Sequence, residues 1–222
     1  MTEGKLDQYR LWRELDYLRA RWQAVQVPPE PHMPEAERAA FEGLLNHTGF
    51  YMEYGTGGST VLASQLNVPR IVGVESDERF ANALRENFAT AASDISIIHA
   101  SFGRVRAWGR PVDVEPTPQN REKWFRYVTA PWDVAGNALP DLLLIDGRFR
   151  VASALYSLLK LPEHASTKIF FDDYACRPEY WAVTQFMGNP VSVGRAAIFE
   201  RPRNFDQQKC ADLLTKYALD WR

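Results

Sequence analysis

The chain has little of what marks most kinds of special chemistry. Its 222 residues hold two cysteines, Cys176 and Cys210. Two are too few for a disulfide framework and lack metal-site spacing, so reduced thiols in a cytoplasmic protein are expected. Of its four histidines, only His99 ends an apolar run, where it could reach a pocket. No Ser-His-Asp arrangement is visible, and no G-K-[ST] phosphate loop. An excess of charge of one sign is lacking too. The 26 Lys and Arg against 28 Asp and Glu leave a formal net charge of −2, which offers no general attraction to nucleic acid or an anionic membrane. No apolar run approaches the roughly 20 residues of a bilayer span, and MTEGKLDQYR has no signal-peptide core. Internal repeats and low-complexity tracts are absent.

What is present reads as one globular domain with a terminal extension. Residues 5–24 have helical spacing, with Leu11, Leu15, Leu18 and Trp22 on one face. The proline-rich PPEPHMP (28–34) breaks the chain. Pro34 then suits the first turn of a second helix running to about Leu45. These two helices make residues 1–48 an N-terminal cap, which packs within the chain or across a homodimer.

From residue 49 short strands alternate with helices. Strands are expected at 49–54, 70–75, 95–100, 141–146 and 168–173. Helices are expected at 57–66, 76–89, 149–160, 178–187 and 204–219, and a closing hairpin at 190–201. Alternation of this kind predicts an α/β fold, a mostly parallel sheet with helices on both faces. DLLLID (141–146) is nearly all apolar, as a strand covered on both sides must be. Residues 101–140 break the rhythm and read as an insertion, rich in tryptophan, arginine and proline, either a lid over a site or a plain surface insertion.

The stretch MEYGTGGST (52–60) has three glycines in four positions, at the end of the first strand. A glycine there permits a tight turn and lets a ligand approach the backbone. The N–H groups and dipole of the helix that follows suit an anion. Two cofactor classes fit such a turn. A dinucleotide fingerprint, G-x-G-x-x-G/A, would place Thr60 in the third glycine position, which disfavours a nicotinamide oxidoreductase. The other class has an acid two residues before the first glycine, and Glu53 supplies it. EYGTGGST resembles the first motif of the class I S-adenosylmethionine-dependent methyltransferases.

The resemblance spans about residues 49–200. It implies a Rossmann-like seven-stranded sheet in the order 3-2-1-4-5-7-6, with the seventh strand antiparallel. It implies S-adenosylmethionine held by Glu53, Gly55, Thr56, Gly57, Ser59 and Thr60, with Glu75 and Ser76 toward the ribose and Ser101 and Phe102 near the adenine. The fourth strand ends in Asp146-Gly147 and the fifth in Asp172-Asp173. Carboxylates gathered at strand ends repel one another unless they share a cation or a proton. IDG followed by DDY resembles the metal-dependent O-methyltransferases, which implies Mg²⁺ on Asp146, Asp172 and Asp173, with Asp146 catalytic. Arg148 and Arg150 depart from that pattern. They can neutralise the acids as ion pairs, or bind an anionic substrate. The expectation is methyl transfer to a small-molecule acceptor, at oxygen. A non-catalytic binding protein on the same fold stays open. A nucleic-acid methyltransferase is disfavoured by the charge balance and the lack of an N/D-P-P-Y-type motif.

Overall fold

In a computed structural model, which describes residues 3–222, β1 (Phe50–Tyr54) is buried along its whole length. Its neighbours explain why. It pairs in parallel with β2 (Arg70–Glu75) on one side and with β6 (Leu142–Ile145) on the other. Beyond β2 lies β3 (Asp94–His99), and beyond β6 lies β7 (Lys168–Phe171). The hairpin of β8 (Val191–Val193) and β9 (Ala196–Glu200) closes the edge, with β9 antiparallel to β7. The order β3-β2-β1-β6-β7-β9-β8 is the expected one. It carries one addition, a two-stranded ribbon of β4 (Val105–Arg106) and β5 (Arg110–Pro111) that stands apart.

Successive residues alternate between two buried faces. Tyr51, Ile71, Leu142, Leu144 and Phe170 join Phe41 and Leu45 of α2 (Glu35–Leu45) and Ala63 of α3 (Gly58–Gln65). Met52, Tyr54, Val72, Val74, Leu143, Ile145 and Phe171 meet the opposite layer. That layer comprises α5 (Pro118–Ala135), α6 (Arg150–Lys160) and α8 (Gln207–Tyr217). At the β3 edge, Ala81 and Leu84 of α4 (Glu78–Asn87) cover Ile97. The Asp77 side chain caps α4 by accepting from the Arg79 amide at 2.9 Å.

Two expectations change. Residues 101–140 are not mainly an insertion, because 118–135 form α5, which packs on β2 and α6. Parallel neighbours need a crossover of a dozen or more residues, usually a helix. Thr117 and Pro118 mark its start, the Thr117 hydroxyl accepting from the Asn120 amide at 3.2 Å. Pro131 inside the helix hides the pattern, since proline usually breaks a helix. Secondly, the region 178–187 is mostly 3₁₀, with α-helix only at α7 (Thr184–Met187).

The N-terminal helix α1 (Glu3–Trp22) forms as expected, but its apolar stripe does not face the core. Leu11, Leu15, Leu18 and Trp22 are all exposed. Polar contacts hold it instead. Glu14 pairs with both Arg104 amino groups at 2.8 and 2.9 Å, and Arg79 donates to the carbonyls of Ala20, Arg21 and Gln23. Residues 1 and 2 of the expected cap lie outside the described residues. Among the described residues no helix is long and apolar enough to cross a membrane.

Phe170 is fully buried and meets Phe41 edge-on at 5.2 Å. Phe170→Ala leaves a cavity where β7 meets α2. It is expected to cost about 3–5 kcal/mol, read as a lower urea midpoint with an unchanged slope.

Candidate functional site

The carboxyl ends of β1, β2 and β6 converge at one edge of the sheet. Gly55 turns the chain out of β1 with φ +86°, a conformation that favours glycine. A Cβ there would lie 2.7 Å from the Gly147 Cα, so the turns after β1 and β6 touch backbone to backbone. Gly58 has a different reason. A Cβ on it would overlap the carbonyl of Glu30, in the segment that links α1 to α2. That segment therefore straps across the start of α3.

Glu53 lies beneath the turn and is fully buried. Its Oε2 accepts from the Tyr51 hydroxyl at 2.9 Å and from Ser59 at 2.6 Å, and its Oε1 accepts from Thr60 at 2.5 Å. Thr60 in turn accepts from the Gly57 amide at 2.9 Å. Glu53, Ser59 and Thr60 thus brace the glycine turn from inside, and their side chains point away from the space above it. Burial raises the Glu53 carboxyl to about 7, against the three hydroxyl bonds that oppose the shift.

Glu75 ends β2 beside that turn. Its Oε1 accepts from the Ser76 amide at 2.6 Å, the Ser76 hydroxyl at 3.1 Å and the Asp77 amide at 2.9 Å. Its Oε2 accepts from the Thr56 hydroxyl at 2.9 Å. An ionised carboxylate has about four acceptor positions, and the Thr56 bond uses one of the two on Oε2. Burial raises the pKa of Glu75, opposed by these bonds. Gly109, at φ +63°, closes over this point, since a Cβ on it would lie 3.0 Å from the Ser76 Oγ and 3.7 Å from the Arg148 Cγ. Beside it Trp108 is exposed, at φ 63° and ψ 30°, with its ring 5.8 Å from that of His32. The expected adenine contacts separate. Ser101 is exposed and accepts from the Gly103 amide at 3.2 Å. Phe102 is core, edge-on to Tyr127 and Phe149 at 5.3 Å each.

The acids after β6 and β7 do converge, but on a guanidinium. Arg150 is 3% exposed. Its amino groups lie 2.6 Å from Asp146, 3.4 Å from Asp173 and 4.0 Å from Asp172. It also donates to the carbonyls of Asp146, Gly147 and Asp172 at 3.2, 3.1 and 2.7 Å. Asp173 takes Arg177 at 3.2 Å and Arg195 at 3.0 Å as well. The expected Mg²⁺ on Asp146, Asp172 and Asp173 finds no support in this geometry. Arg150 already sits among the three carboxyls, and no cluster of metal-ligating side chains occurs among the described residues. Burial and the nearby Asp146 charge push Asp172 up to about 8, with Arg150 opposing. Asp146 is the most open of the three, with 35% of its side chain exposed against 15% for Asp173 and 7% for Asp172.

Aromatic rings back this edge. Tyr180, which with Tyr174 and Arg177 follows the fifth strand as an expected substrate wall, lies under the Arg150 and Arg177 guanidinium carbons at 5.5 and 5.7 Å. Sequence reasoning missed the place of Tyr127, which presses its hydroxyl against Gly147. Tyr127 lies in α5, which the insertion reading obscured. Burial and the charge of Arg150 lower the pKa of Arg148, the remaining arginine here.

Two outcomes follow. The folded pKa of Glu53, about 7, exceeds its unfolded value near 4.5, so the folded chain holds a proton the unfolded chain has lost. Stability from this group is fully present below about pH 4.5 and is lost as pH rises through 7, by on the order of 2–3 kcal/mol. Urea melts between pH 4 and 8 should show a shallower loss in Glu53→Gln than in wild type, the remaining slope coming from Asp172 and Glu75, whose carboxyls burial also raises. Arg150→Ala leaves Asp146 and Asp172 without their cation, Asp173 keeping Arg177 and Arg195, and should cost about 3–5 kcal/mol. Its melting temperature should rise with millimolar Mg²⁺, whereas that of wild type should not.

No protein-family model matches the chain, and no curated protein does. Among solved structures, a methyltransferase-like protein from Silicibacter pomeroyi is 30% identical. The match covers 88% of this chain and 100% of that one, with a TM-score of 0.76. Looser likenesses are cofactor-bound Rv0187 from MTB and an O-methyltransferase from Bacillus cereus in complex with SAH. Each is 16% identical, with TM-scores of 0.49 and 0.41. The matches cover 86% and 85% of this chain, and 89% and 74% of those chains. An identity of 30% sustained over the whole of the first relative, on a shared fold, shows that the chain belongs to the class I S-adenosylmethionine-dependent methyltransferase family.

Proposed function

We propose that the protein binds S-adenosylmethionine along the carboxyl edge of β1 and β2 and transfers its methyl group to an oxygen of a small-molecule acceptor held at Asp146. The observation that carries this reading is the joining of two sites by one backbone contact. The Gly55 turn beside Glu75 touches Gly147, next to the most open carboxyl of the acid cluster. Gly55, Thr56 and Gly57 offer a turn without bulky side chains, and Glu75 offers Oε2 to the ribose. The bound cofactor supplies an electrophilic methyl on a sulfonium. The chain supplies alignment, which is worth several kcal/mol when the reacting atoms are held near 3–3.5 Å.

Asp146 receives the proton of the acceptor hydroxyl as its oxygen takes the methyl group. Arg150, 2.6 Å from Asp146 Oδ1, fixes that carboxyl in place. The strap over Gly58 and the turn at Trp108–Gly109 cover the edge and exclude water.

Calorimetric titration with S-adenosylmethionine and S-adenosylhomocysteine tests the reading. Micromolar binding is expected. Glu75→Ala should weaken it by about 10–100-fold, the loss of one charge-assisted hydrogen bond or more. Asp146→Asn should keep cofactor binding while abolishing S-adenosylhomocysteine production from hydroxylated acceptors. A folded wild type that binds neither compound would sink the proposal. Binding without turnover across a broad acceptor panel would favour a non-catalytic binding protein.

A further inference from the structure

Four arginines surround the acid cluster, and three are spoken for. Arg150 takes Asp146, Asp172 and Asp173, Arg177 takes Asp173, and Arg195 takes Asp173 and Glu37. Arg148 makes no ion pair or side-chain hydrogen bond with any described residue. Yet it is half-buried, in the turn between Asp146 and α6. Its stem lies beneath Gly109, beside Ser76 and so beside the end of β2. The Tyr180 ring lies at the same cluster, under the Arg150 and Arg177 guanidinium carbons at 5.5 and 5.7 Å, and the charge of Arg148 reaches its phenol. That hydroxyl also makes no hydrogen bond with a described residue.

A guanidinium cannot shed its charge in a protein, and withdrawing it from water without a partner is costly. Arg150 crowds it with like charge. The arrangement is one that an incoming oxyanion relieves. Carboxylate and phosphate match the planar fork of arginine with two parallel hydrogen bonds.

We propose that Arg148, with the Tyr180 hydroxyl, is an anion subsite that binds a carboxylate or phosphate group of the methyl acceptor and so presents the acceptor's hydroxyl to Asp146. The proposal deepens the methyltransferase reading and rests on it for the identity of the second ligand. An acceptor of this class is a hydroxy acid or a phosphorylated alcohol, and a neutral alcohol of the same shape binds more weakly.

The test is calorimetric titration of protein saturated with S-adenosylhomocysteine, using 2-hydroxybenzoate and inorganic phosphate as separate probes at constant ionic strength. One-to-one binding of at least one probe is expected, tenfold or more weaker in Arg148→Met and partly retained in Arg148→Lys. Binding of the benzoate alone assigns a carboxylate, and binding of phosphate alone assigns a phosphate. Failure of both probes on wild type overturns the proposal, as does equal binding by wild type and Arg148→Met. Should Arg148→Met not fold, Arg148→Gln takes its place, with Tyr180→Phe as an independent check expected to weaken the probe severalfold. Should S-adenosylhomocysteine itself not bind, the methyltransferase reading fails on that observation. The same probes on protein without it then decide the subsite alone.

Discussion

The carboxyl edge of the sheet is organised by one buried guanidinium. Parallel strands β6 and β7 end side by side in Asp146 and Asp172-Asp173, and so deliver three carboxyls to one small volume. Such a cluster is unstable without positive charge. Arg150 supplies it from the first turn of α6, four residues after Asp146. Its bonds to three carbonyls at the ends of β6 and β7 make it a backbone brace as well as a counter-ion. Pairs of this kind contribute little net stability but are costly to break, so the arginine specifies a geometry more than it strengthens the fold. Arg177 and Arg195 extend the network to the 3₁₀ segment and to the β8–β9 turn. Glu37 then ties that turn to α2 by accepting from the Arg195 amide at 2.6 Å.

A second constraint is closeness. Gly55 against Gly147, Gly58 against Glu30 and Gly147 against the Tyr127 hydroxyl leave no room for a Cβ. The glycine-rich stretch serves more than one partner. Gly55 serves the junction with the loop after β6, whereas Gly58 serves the chain's own strap. The polar residues interleaved with the glycines divide in the same way. Thr56 turns outward to Glu75, while Ser59 and Thr60 turn inward to Glu53. The turn is braced by buried hydrogen bonds, which matters where alignment is the main catalytic device.

Much of this was legible in the sequence, for physical reasons that can be named. Strands such as RIVGVE and DLLLID are short apolar runs bounded by turn signals, and all five expected parallel strands form within a residue or two of their expected limits. The convergence of Asp146, Asp172 and Asp173 was legible from their places at strand ends. What fills the space among them was not. Both a metal and an arginine satisfy the same charge argument, and it takes the rotamer of Arg150 to show an arginine among the three carboxyls. The direction of the Glu53 side chain was hidden as well, because a motif lists residue types while strand alternation sets the face. The helix α5 was concealed by Pro131, although parallel pairing across β1 requires a crossover somewhere in 101–140. The stripe on α1 was read correctly as a stripe, but periodicity cannot tell which surface will cover it.

An arginine among three carboxyls does different work from a metal ion in the same place. A divalent cation coordinates a substrate oxygen directly and lowers the pKa of its hydroxyl. The Arg150 guanidinium is already committed to three carboxyls and three carbonyls, so it cannot take that role without abandoning the edge it supports. Under the proposed reaction, the group that takes the acceptor's proton is Asp146, held in place by Arg150. Orientation of the acceptor becomes correspondingly more important, and a fixed positive group is a way to achieve it. Arg148 stands two residues from Asp146 and two from Arg150, where a charged handle on the acceptor would be held at a set distance from the base. On the proposal that Arg148 binds a charged group of the acceptor, binding energy at one end of the acceptor would align the other.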